Sequence, residues 1–237
     1  NSNLQDNQFW EYDVDTKRSS SQQSPLAPTG RSGAMLVYDS IREVLVFFGG
    51  TTNSNVNDVE AFYADTWEYT LSKSTWTKII PTTAPSARAL SFAEFDESSG
   101  RVILFGGVTT KEDQSDNISL NDTWAYDTST QDWTQLTTDT APSPRHAGTM
   151  RINPSTKKMF LFGGETKAGD GTTTITFQDD LWIFDPQTTN WEEVSQTNTP
   201  GAVGSFGMVY NSERERLVLF GGRTGFGSMT ATGPSSI

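Results

Sequence analysis

The segment RVILFGG (101–107) decides the fold of this chain, together with the two tryptophans that follow it. An apolar run ends in the diglycine Gly106-Gly107, and the triplet Trp124-Ala125-Tyr126 begins 18 residues after the first glycine. A second tryptophan, Trp133, stands nine residues after Trp124. Recurrence of such a pattern at a fixed period is the sequence signature of a repeat architecture.

The pattern occurs four times at a nearly constant spacing. Successive diglycines are 57, 57 and 58 residues apart, and the Trp-x-aromatic triplets follow the same steps. The diglycines are Gly49-Gly50, Gly106-Gly107, Gly163-Gly164 and Gly221-Gly222. The triplets begin at Trp10, Trp67, Trp124 and Trp182, and the second tryptophans are Trp76, Trp133 and Trp191. The first repeat has Ser19 in place of its second tryptophan, and all seven tryptophans of the chain belong to the repeat.

Each period reads as four short β-strands. Runs of β-branched and aromatic residues are bounded by Gly, Pro, Asn, Asp and Ser, and no stretch has the pattern of an amphipathic helix of about 10 residues or more. In one period the predicted strands are 34–38, 44–48, 66–69 and 75–79. The sequence therefore predicts an all-β protein in which each period forms one four-stranded unit.

These residues resemble the kelch repeat, in which an apolar strand closed by Gly-Gly is followed by a Trp or Tyr strand and a second Trp. The resemblance covers about residues 9–222. It implies a β-propeller of four-stranded antiparallel blades, and we expect residues 1–237 to form a single kelch domain. The expected blades are approximately 31–80, 88–137 and 145–195, with a composite blade from 204–222 plus 8–26 and a tail at 223–237.

The composite blade would close a ring of four blades, because the C-terminal segment supplies two inner strands and the N-terminal segment two outer ones. Pairing both segments in one blade would remove exposed sheet edges. The resemblance also implies that rings of six or seven blades are more usual. The alternatives are therefore that this chain forms part of a six- or seven-bladed ring, or that two chains share one ring.

Composition excludes several classes of function. The chain has 237 residues, a net charge of −12, no cysteine and one histidine. Disulfides, Cys-ligated metals and thiol nucleophiles are excluded, and no apolar run is long enough for membrane insertion. The negative charge disfavours nucleic acid and favours basic or neutral partners.

Two N-glycosylation patterns suggest a cellular location. Asn117 and Asn121 each begin an Asn-x-Ser/Thr triplet, which is read in the secretory pathway. We therefore expect an extracellular or cell-surface glycoprotein, with a cytoplasmic protein as the alternative.

Candidate binding residues cluster where each innermost strand begins. Arg31, Arg88 and Arg145 follow a Pro-x-x pattern 18 residues before the diglycines, His146 follows the last of them, and Val203 replaces the arginine in the fourth repeat. These positions and the long loops after the diglycines fall on one propeller face, which the resemblance implies receives a partner peptide. Each arginine either bonds backbone carbonyls and an acidic neighbour in its own blade or contributes to a ligand site at the channel mouth.

Other loop residues give weaker signals. The aromatic residues Phe62, Tyr63, Phe177 and Phe226 either anchor a partner or cover the propeller face. Oxygen-bearing residues suggest calcium in three loops, through the run from Asn53 to Asp58 and the Asp residues of the next two loops. The signal is weak, because the Asn run lacks the glycine and distal glutamate of an EF-hand loop. The aspartates of those two loops are Asp113, Asp116, Asp122, Asp170, Asp179 and Asp180.

The inventory does not support the enzymes that share this resemblance. A copper oxidase of the galactose-oxidase kind would require two histidines and a cysteine, and the iron pattern of plant kelch specifier proteins is absent around His146. We therefore predict no catalytic residue, metal or cofactor. The expected function is a protein-binding or self-assembling propeller, with a sugar-binding or mutarotase-like propeller using Arg31, Arg88, Arg145 and His146 as the alternative.

Overall fold

A computed structural model describes residues 8–22, 24, 26–52 and 62–225. The first elements are the hairpin β1 (Phe9–Asp13) and β2 (Arg18–Gln22). A four-stranded antiparallel sheet follows, and a 3-10 turn at Leu71–Lys73 precedes its last strand. Its strands are β3 (Met35–Asp39), β4 (Val44–Phe48), β5 (Thr66–Thr70) and β6 (Thr75–Ile79).

Two more four-stranded sheets and a final hairpin complete the described chain. The second sheet contains β7 (Phe92–Asp96), β8 (Arg101–Thr110), β9 (Asn117–Asp127) and β10 (Asp132–Leu136). The third contains β11 (Thr149–Ile152), β12 (Met159–Phe162), β15 (Leu181–Asp185) and β16 (Asn190–Val194), with the short hairpin β13 (Glu165–Lys167) and β14 (Ile175–Phe177) inserted after β12. The last hairpin pairs β17 (Gly207–Asn211) with β18 (Arg216–Phe220).

The three four-stranded sheets are blades that pack face to face. Along β4 the side chains of Val44, Val46 and Phe48 are buried against the second blade, because successive residues of a strand point to opposite faces. Trp133 and Trp191 lie on the faces of the second and third blades that pack against the preceding blade. Each indole N–H donates to a threonine of that preceding blade. The second tryptophan of the repeat therefore stabilises the contact between neighbouring blades.

The diglycines lie where this packing is closest. A Cβ added at Gly106 would lie 2.6 Å from the carbonyl oxygen of Arg145, and one at Gly163 would lie 2.6 Å from that of Val203. Both glycines also have a φ of +60°, a conformation that other residues adopt only at a cost. The close approach of the next blade thus explains why the repeat needs glycine here.

The predicted all-β architecture of four-stranded antiparallel blades is confirmed. The composite blade is not formed among the described residues: β1 pairs only with β2, and β18 pairs only with β17. The hairpin β1–β2 instead packs on the first blade through Phe9, whose ring lies 4.5 Å from that of Tyr69. Closure depends on the rotation between blades, which no short motif specifies, so the number of blades stays a prediction.

Candidate functional site

Each predicted arginine forms a buried, hydrogen-bonded pair with an aspartate of its own blade. We call this Arg–Asp pair a bracket. In the second blade both Nη atoms of Arg88 donate to the carboxylate of Asp122, at 2.6 and 2.8 Å. Its remaining N–H groups donate to the carbonyl oxygen of Gly106 and to the carbonyl and hydroxyl oxygens of Ser86. All five donors of the guanidinium are therefore used within the blade.

The same bracket occurs in the other two blades. Arg31 forms it with Asp65, and Arg145 forms it with Asp180 at 2.5 and 2.8 Å. In every blade the carboxylate also accepts a hydrogen bond of 2.7 Å from the indole N–H of the first tryptophan, as Trp182 donates to Asp180. Burial raises the pKa of Asp180, but the bonds from Arg145 and Trp182 outweigh burial and place this pKa below its usual value.

The brackets support the first of the two interpretations given to the arginines. The side chains of Arg88 and Arg145 are fully buried, and Arg31 is covered by the ring of Tyr63, 3.6 Å from its guanidinium carbon. None of the three guanidinium groups has a donor left for a ligand. The arginines lie at the start of the innermost strands, as expected, but their guanidinium groups donate all their hydrogen bonds to acceptors of their own blades.

A second buried polar group lies on the same face, around the only histidine. The Nδ1 atom of His146 is 2.8 Å from the hydroxyl oxygen of Ser119, and that oxygen also accepts the backbone N–H of Lys167. The Nε2 atom of His146 lies 3.9 Å from a carboxylate oxygen of Glu165 and has no hydrogen-bond partner among the described residues. We assign the proton to Nε2, because it then faces the carboxylate while Nδ1 accepts from Ser119.

Glu165 connects this histidine to the last hairpin. Its carboxylate accepts two hydrogen bonds from Arg223, at 2.9 and 2.5 Å, and one from the hydroxyl of Ser205. Arg223 follows β18, and its side chain is partly exposed, whereas Glu165 is fully buried. The charged pair therefore links the third blade to β17–β18.

A third polar contact joins the two loop hairpins that rise from this face. The ammonium group of Lys167 in β13 donates to the carboxylate of Asp116 at 2.9 Å and to the carbonyl oxygen of Thr172. The same carboxylate accepts the backbone N–H groups of Asn117 and, from the neighbouring hairpin, Gly171. Lys167 and Asp116 are both buried, so the tip of β8–β9 and the hairpin β13–β14 form one connected surface.

Four polar residues of this face were missed by the motif search because they do not follow the repeat, whereas His146 and Asp116 are among the candidates predicted from sequence. The four are Ser119, Glu165, Lys167 and Arg223. His146 stands where the other repeats have Ser32, Ala89 and Gly204, and Glu165 stands where they have Thr51, Val108 and Arg223. The deviation itself is the signal that a column-by-column comparison of the four repeats would have found. Polar side chains therefore lie between the third blade and β17–β18, at positions where the first two blades carry small or apolar side chains.

The polar residues around His146 do not form an accessible catalytic site. Ser119, His146 and Glu165 resemble the members of a nucleophilic triad, but all three are buried and Ser119 already accepts a backbone N–H. Among the described residues, no group of three or more His, Asp or Glu side chains is arranged to hold a metal ion. The contacts therefore support a structural role, the fixing of the loop face.

A family model described as the KLHDC2/KLHL20/DRC7 Kelch-repeats domain matches residues 1–222. The chain belongs to the kelch-repeat family. The resemblance drawn from the diglycines and tryptophans is thus confirmed. Kelch domains are generally protein-interaction modules. In the described part of this kelch domain, no helix is both long and apolar enough to span a bilayer.

The remaining candidates of the kelch domain fall in different surroundings. Phe62, Tyr63 and Phe177 are half-buried at the base of the loops, while Phe226 and the Asn53–Asp58 run lie outside the described residues. Asp122 and Asp180 belong to the brackets, Asp116 pairs with Lys167, and Asp113, Asp170 and Asp179 are exposed. Of the two glycosylation candidates, Asn117 is fully buried and Asn121 is exposed, so the fold leaves room for a glycan only at Asn121.

The burial of His146 predicts a pH dependence that can be measured without a variant. Burial lowers the pKa of His146 from 6.5 to about 4, although Glu165 opposes this effect. The unfolded chain therefore takes up a proton between pH 6.5 and 4 that the folded kelch domain does not, and stability falls by about 3 kcal/mol across this window as the pH falls. Above pH 7 the group contributes no pH dependence.

The test is an NMR titration of the single imidazole in the folded protein and in urea. We expect the urea-unfolded chain to titrate near the ordinary value for histidine and the folded chain to remain neutral until the pH approaches 4. A folded-state titration near 6.5 would show that His146 is exposed to water and would contradict the arrangement with Ser119 and Glu165.

Proposed function

We propose that this protein is a non-catalytic protein-binding module that engages its partner through the loop face at the channel mouth. The observation that carries the proposal is the buried ion pair between Lys167 and Asp116, which fastens the hairpins β8–β9 and β13–β14 to each other. A surface held in this way loses little conformational entropy when a partner docks.

The charge of this surface indicates the kind of partner. Glu112 and Asp113 are exposed at the tip of β8–β9, and Asp170 is exposed on the neighbouring hairpin, with Lys111 as the nearby cation. The whole chain carries a net charge of −12. A basic segment of a protein partner would be attracted to these tips, and the attraction would weaken as salt is added.

A groove beside the hairpin β8–β9 is placed to receive side chains of this partner. It has a volume of about 530 Å³ and runs from Ser86 along Thr109 and Ile118 to the acidic tip. Its combination of apolar and charged lining suits a basic side chain with an apolar stem, because the stem of a lysine or arginine packs on apolar surface while its charge stays in water.

The alternative of a sugar-binding or mutarotase-like propeller gains no support from the geometry. Its candidate residues are Arg31, Arg88, Arg145 and His146, and the first three have all their donors engaged in the brackets. His146 is fully buried beside Ser119.

An extracellular or cell-surface location stays part of the proposal. Loss of a glycosidase-sensitive mass in Asn121→Gln would support it.

Charge reversal on the loop face tests the binding proposal. The test variant combines Glu112→Lys, Asp113→Lys and Asp170→Lys. In affinity capture with cross-linking from an extract of the source cells, we expect it to recover about tenfold less of the main partner protein than the unmodified protein does, because the charge that attracts the partner is inverted. The matched control reverses three exposed glutamates on the turns at the opposite end of the blades, Glu43, Glu213 and Glu215.

The control variant should recover the partner as well as the unmodified protein does, and both variants should melt at nearly the same temperature. Equal recovery by the two variants would overturn the assignment to the loop face. Loss by the control alone would place the partner on the opposite face.

A further inference from the structure

The contact between neighbouring blades has a fixed set of parts, which the described chain forms three times. The second glycine of each pair donates its N–H to a carbonyl at the start of the next blade, as in Gly50 to Arg88 at 2.8 Å, and equivalent bonds of 2.9 Å follow in the next two junctions. Nearer the axis, Leu90 donates to Gly33 at 2.7 Å, Ala147 to Leu90 at 3.0 Å, and Ser205 to Ala147 at 2.6 Å.

The apolar part of the junction is equally regular. The phenylalanine before the diglycine packs against the second tryptophan of the next blade, with ring centroids 5.0 Å apart for Phe48 and Trp133 and 4.9 Å apart for Phe105 and Trp191. These two junctions therefore have a donating face that ends in this phenylalanine and a receiving face built around the tryptophan, whereas at the third junction Phe162 packs against Phe206.

A fourth donating face lies uncovered on the last hairpin. Phe220 occupies the repeat position of Phe48, yet its side chain is 87% exposed, and Val209 and Val218 are exposed beside it. A Cβ added at Gly221 would meet nothing within 4 Å, in contrast to the equivalent Gly106 and Gly163, which lie against the next blade. Among the described residues, nothing occupies the space that the next blade fills elsewhere.

The inner part of a fourth receiving face lies uncovered on the first blade, while Phe9 of β1 covers its tryptophan, Trp76, with the two rings 5.7 Å apart. Leu36 is 51% exposed and Tyr38 is exposed beside it, although their repeat equivalents Ala93 and Phe95 pack in the junction between the first two blades. A pocket of about 160 Å³ opens here between Leu36, Phe47 and Trp76. A cavity of about 150 Å³ holds a benzene ring, so the pocket has the size of one phenyl side chain.

The sheet edges beside these faces are complementary as well. In the register of β4 with β5, β18 would pair with β1 so that Arg216 lies opposite Asp13. The same repeat position carries the ion pairs Arg101–Asp127 at 3.8 Å and Lys158–Asp185 at 3.5 Å in the second and third blades. The hairpins β17–β18 and β1–β2 therefore match as the inner and outer halves of one blade.

We propose that the donating face of β17–β18 docks on the receiving face of a second copy of this chain, inserting Phe220 into the pocket at Trp76. The partner copy's β1 then extends the sheet from β18, and the junction continues the three already formed. The contact is head-to-tail, so it generates a closed ring or a chain of copies. It goes beyond the loop-face function, because it uses a different surface and does not depend on it.

Sedimentation of the full chain and of two single variants tests the proposal. The unmodified protein is expected to form species of two or more chains, and Phe220→Asp or Leu36→Asp is expected to raise the dissociation constant by more than about 30-fold, as for a central aromatic anchor. The control is Ile80→Asp, since Ile80 is 81% exposed and lies outside the junction positions, and it should leave association unchanged.

Mixing the two defective variants separates association between copies from closure within one chain. Phe220→Asp keeps an intact receiving face and Leu36→Asp keeps an intact donating face, so an equimolar mixture should form a complex of two chains and no larger species. A monomeric unmodified protein would overturn the proposal, and so would association unaffected by Phe220→Asp or a mixture that stays monomeric. Circular dichroism of each variant confirms that it is folded.

Discussion

Replacement of Arg145 by alanine is expected to lower the free energy of unfolding by about 3–5 kcal/mol, the usual cost of removing one partner from a buried ion pair. The guanidinium is fully buried and makes five hydrogen bonds, two of them to Asp180 and one to the carbonyl oxygen of Gly163. Its loss leaves Asp180 with the indole N–H of Trp182 as its remaining side-chain donor and removes one donor from the carbonyl oxygen of Gly163.

The control for this experiment is an exposed pair of the same residue types. Arg101 lies 3.8 Å from Asp127, and its side chain is 45% exposed. Arg101→Ala should cost about 1 kcal/mol or less, since exposed ion pairs contribute little. Urea denaturation followed by circular dichroism measures both changes, and similar costs for the two variants would contradict the bracket.

The cost of Arg145→Ala should also depend on pH in a definite direction. The pKa of Asp180 is lowered in the folded protein, so the bracket contributes its stability above the ordinary carboxyl pKa and loses it as the pH falls through the folded-state value. The difference between the two proteins is therefore expected to shrink in acid. A difference that grows as the pH falls would indicate that Asp180 is not the partner.

Replacement of Trp133 by alanine is expected to lower the free energy of unfolding by about 3–5 kcal/mol, because it empties a buried site between two blades. This cost is about the same as that expected for Arg145→Ala. The ring lies 5.0 Å from that of Phe48 and 5.1 Å from that of Tyr126, and the indole N–H donates to Thr66 at 3.0 Å. The substitution removes both the apolar contact and the hydrogen bond that cross this junction.

Trp10 provides the comparison for Trp133 within the same repeat. Its side chain is 57% exposed in β1, so Trp10→Ala should change stability by about 0.5 kcal/mol or less in dilute solution. Denaturation monitored by circular dichroism avoids the change in fluorescence that either substitution causes. Equal effects at the two positions would mean that Trp133 does not hold the blades together.

Much of the fold could be predicted because its motifs act over short distances. Gly106 and Gly107 end a strand, and Trp124 and Trp133 lie on the two strands that complete the same blade, as their spacing indicated. The arginines could be located but not interpreted from sequence alone. Their acidic partners lie 34 or 35 residues away, and only the folded blade places Asp65, Asp122 and Asp180 against them.

The polar contacts of the loop face were beyond the reach of the motifs. Lys167 and Asp116 are 51 residues apart, and Glu165 and Arg223 are 58 residues apart, in loops of different repeats. No local pattern predicts which loop residues of neighbouring blades will meet. Only the deviation of His146 and Glu165 from the other repeats marks this junction in the sequence.

The amino-acid sequence alone determined the family and the all-β, four-stranded character of the blades, because hydrophobic alternation and glycine requirements are properties of neighbouring residues. The tertiary structure decided that the arginines are internal brackets, that His146 is buried beside Glu165, and that Phe220 and Leu36 lie on uncovered faces. The brackets join residues 34 or 35 positions apart within one blade. The other features depend on how neighbouring blades are placed relative to each other, and no property of adjacent residues determines that placement.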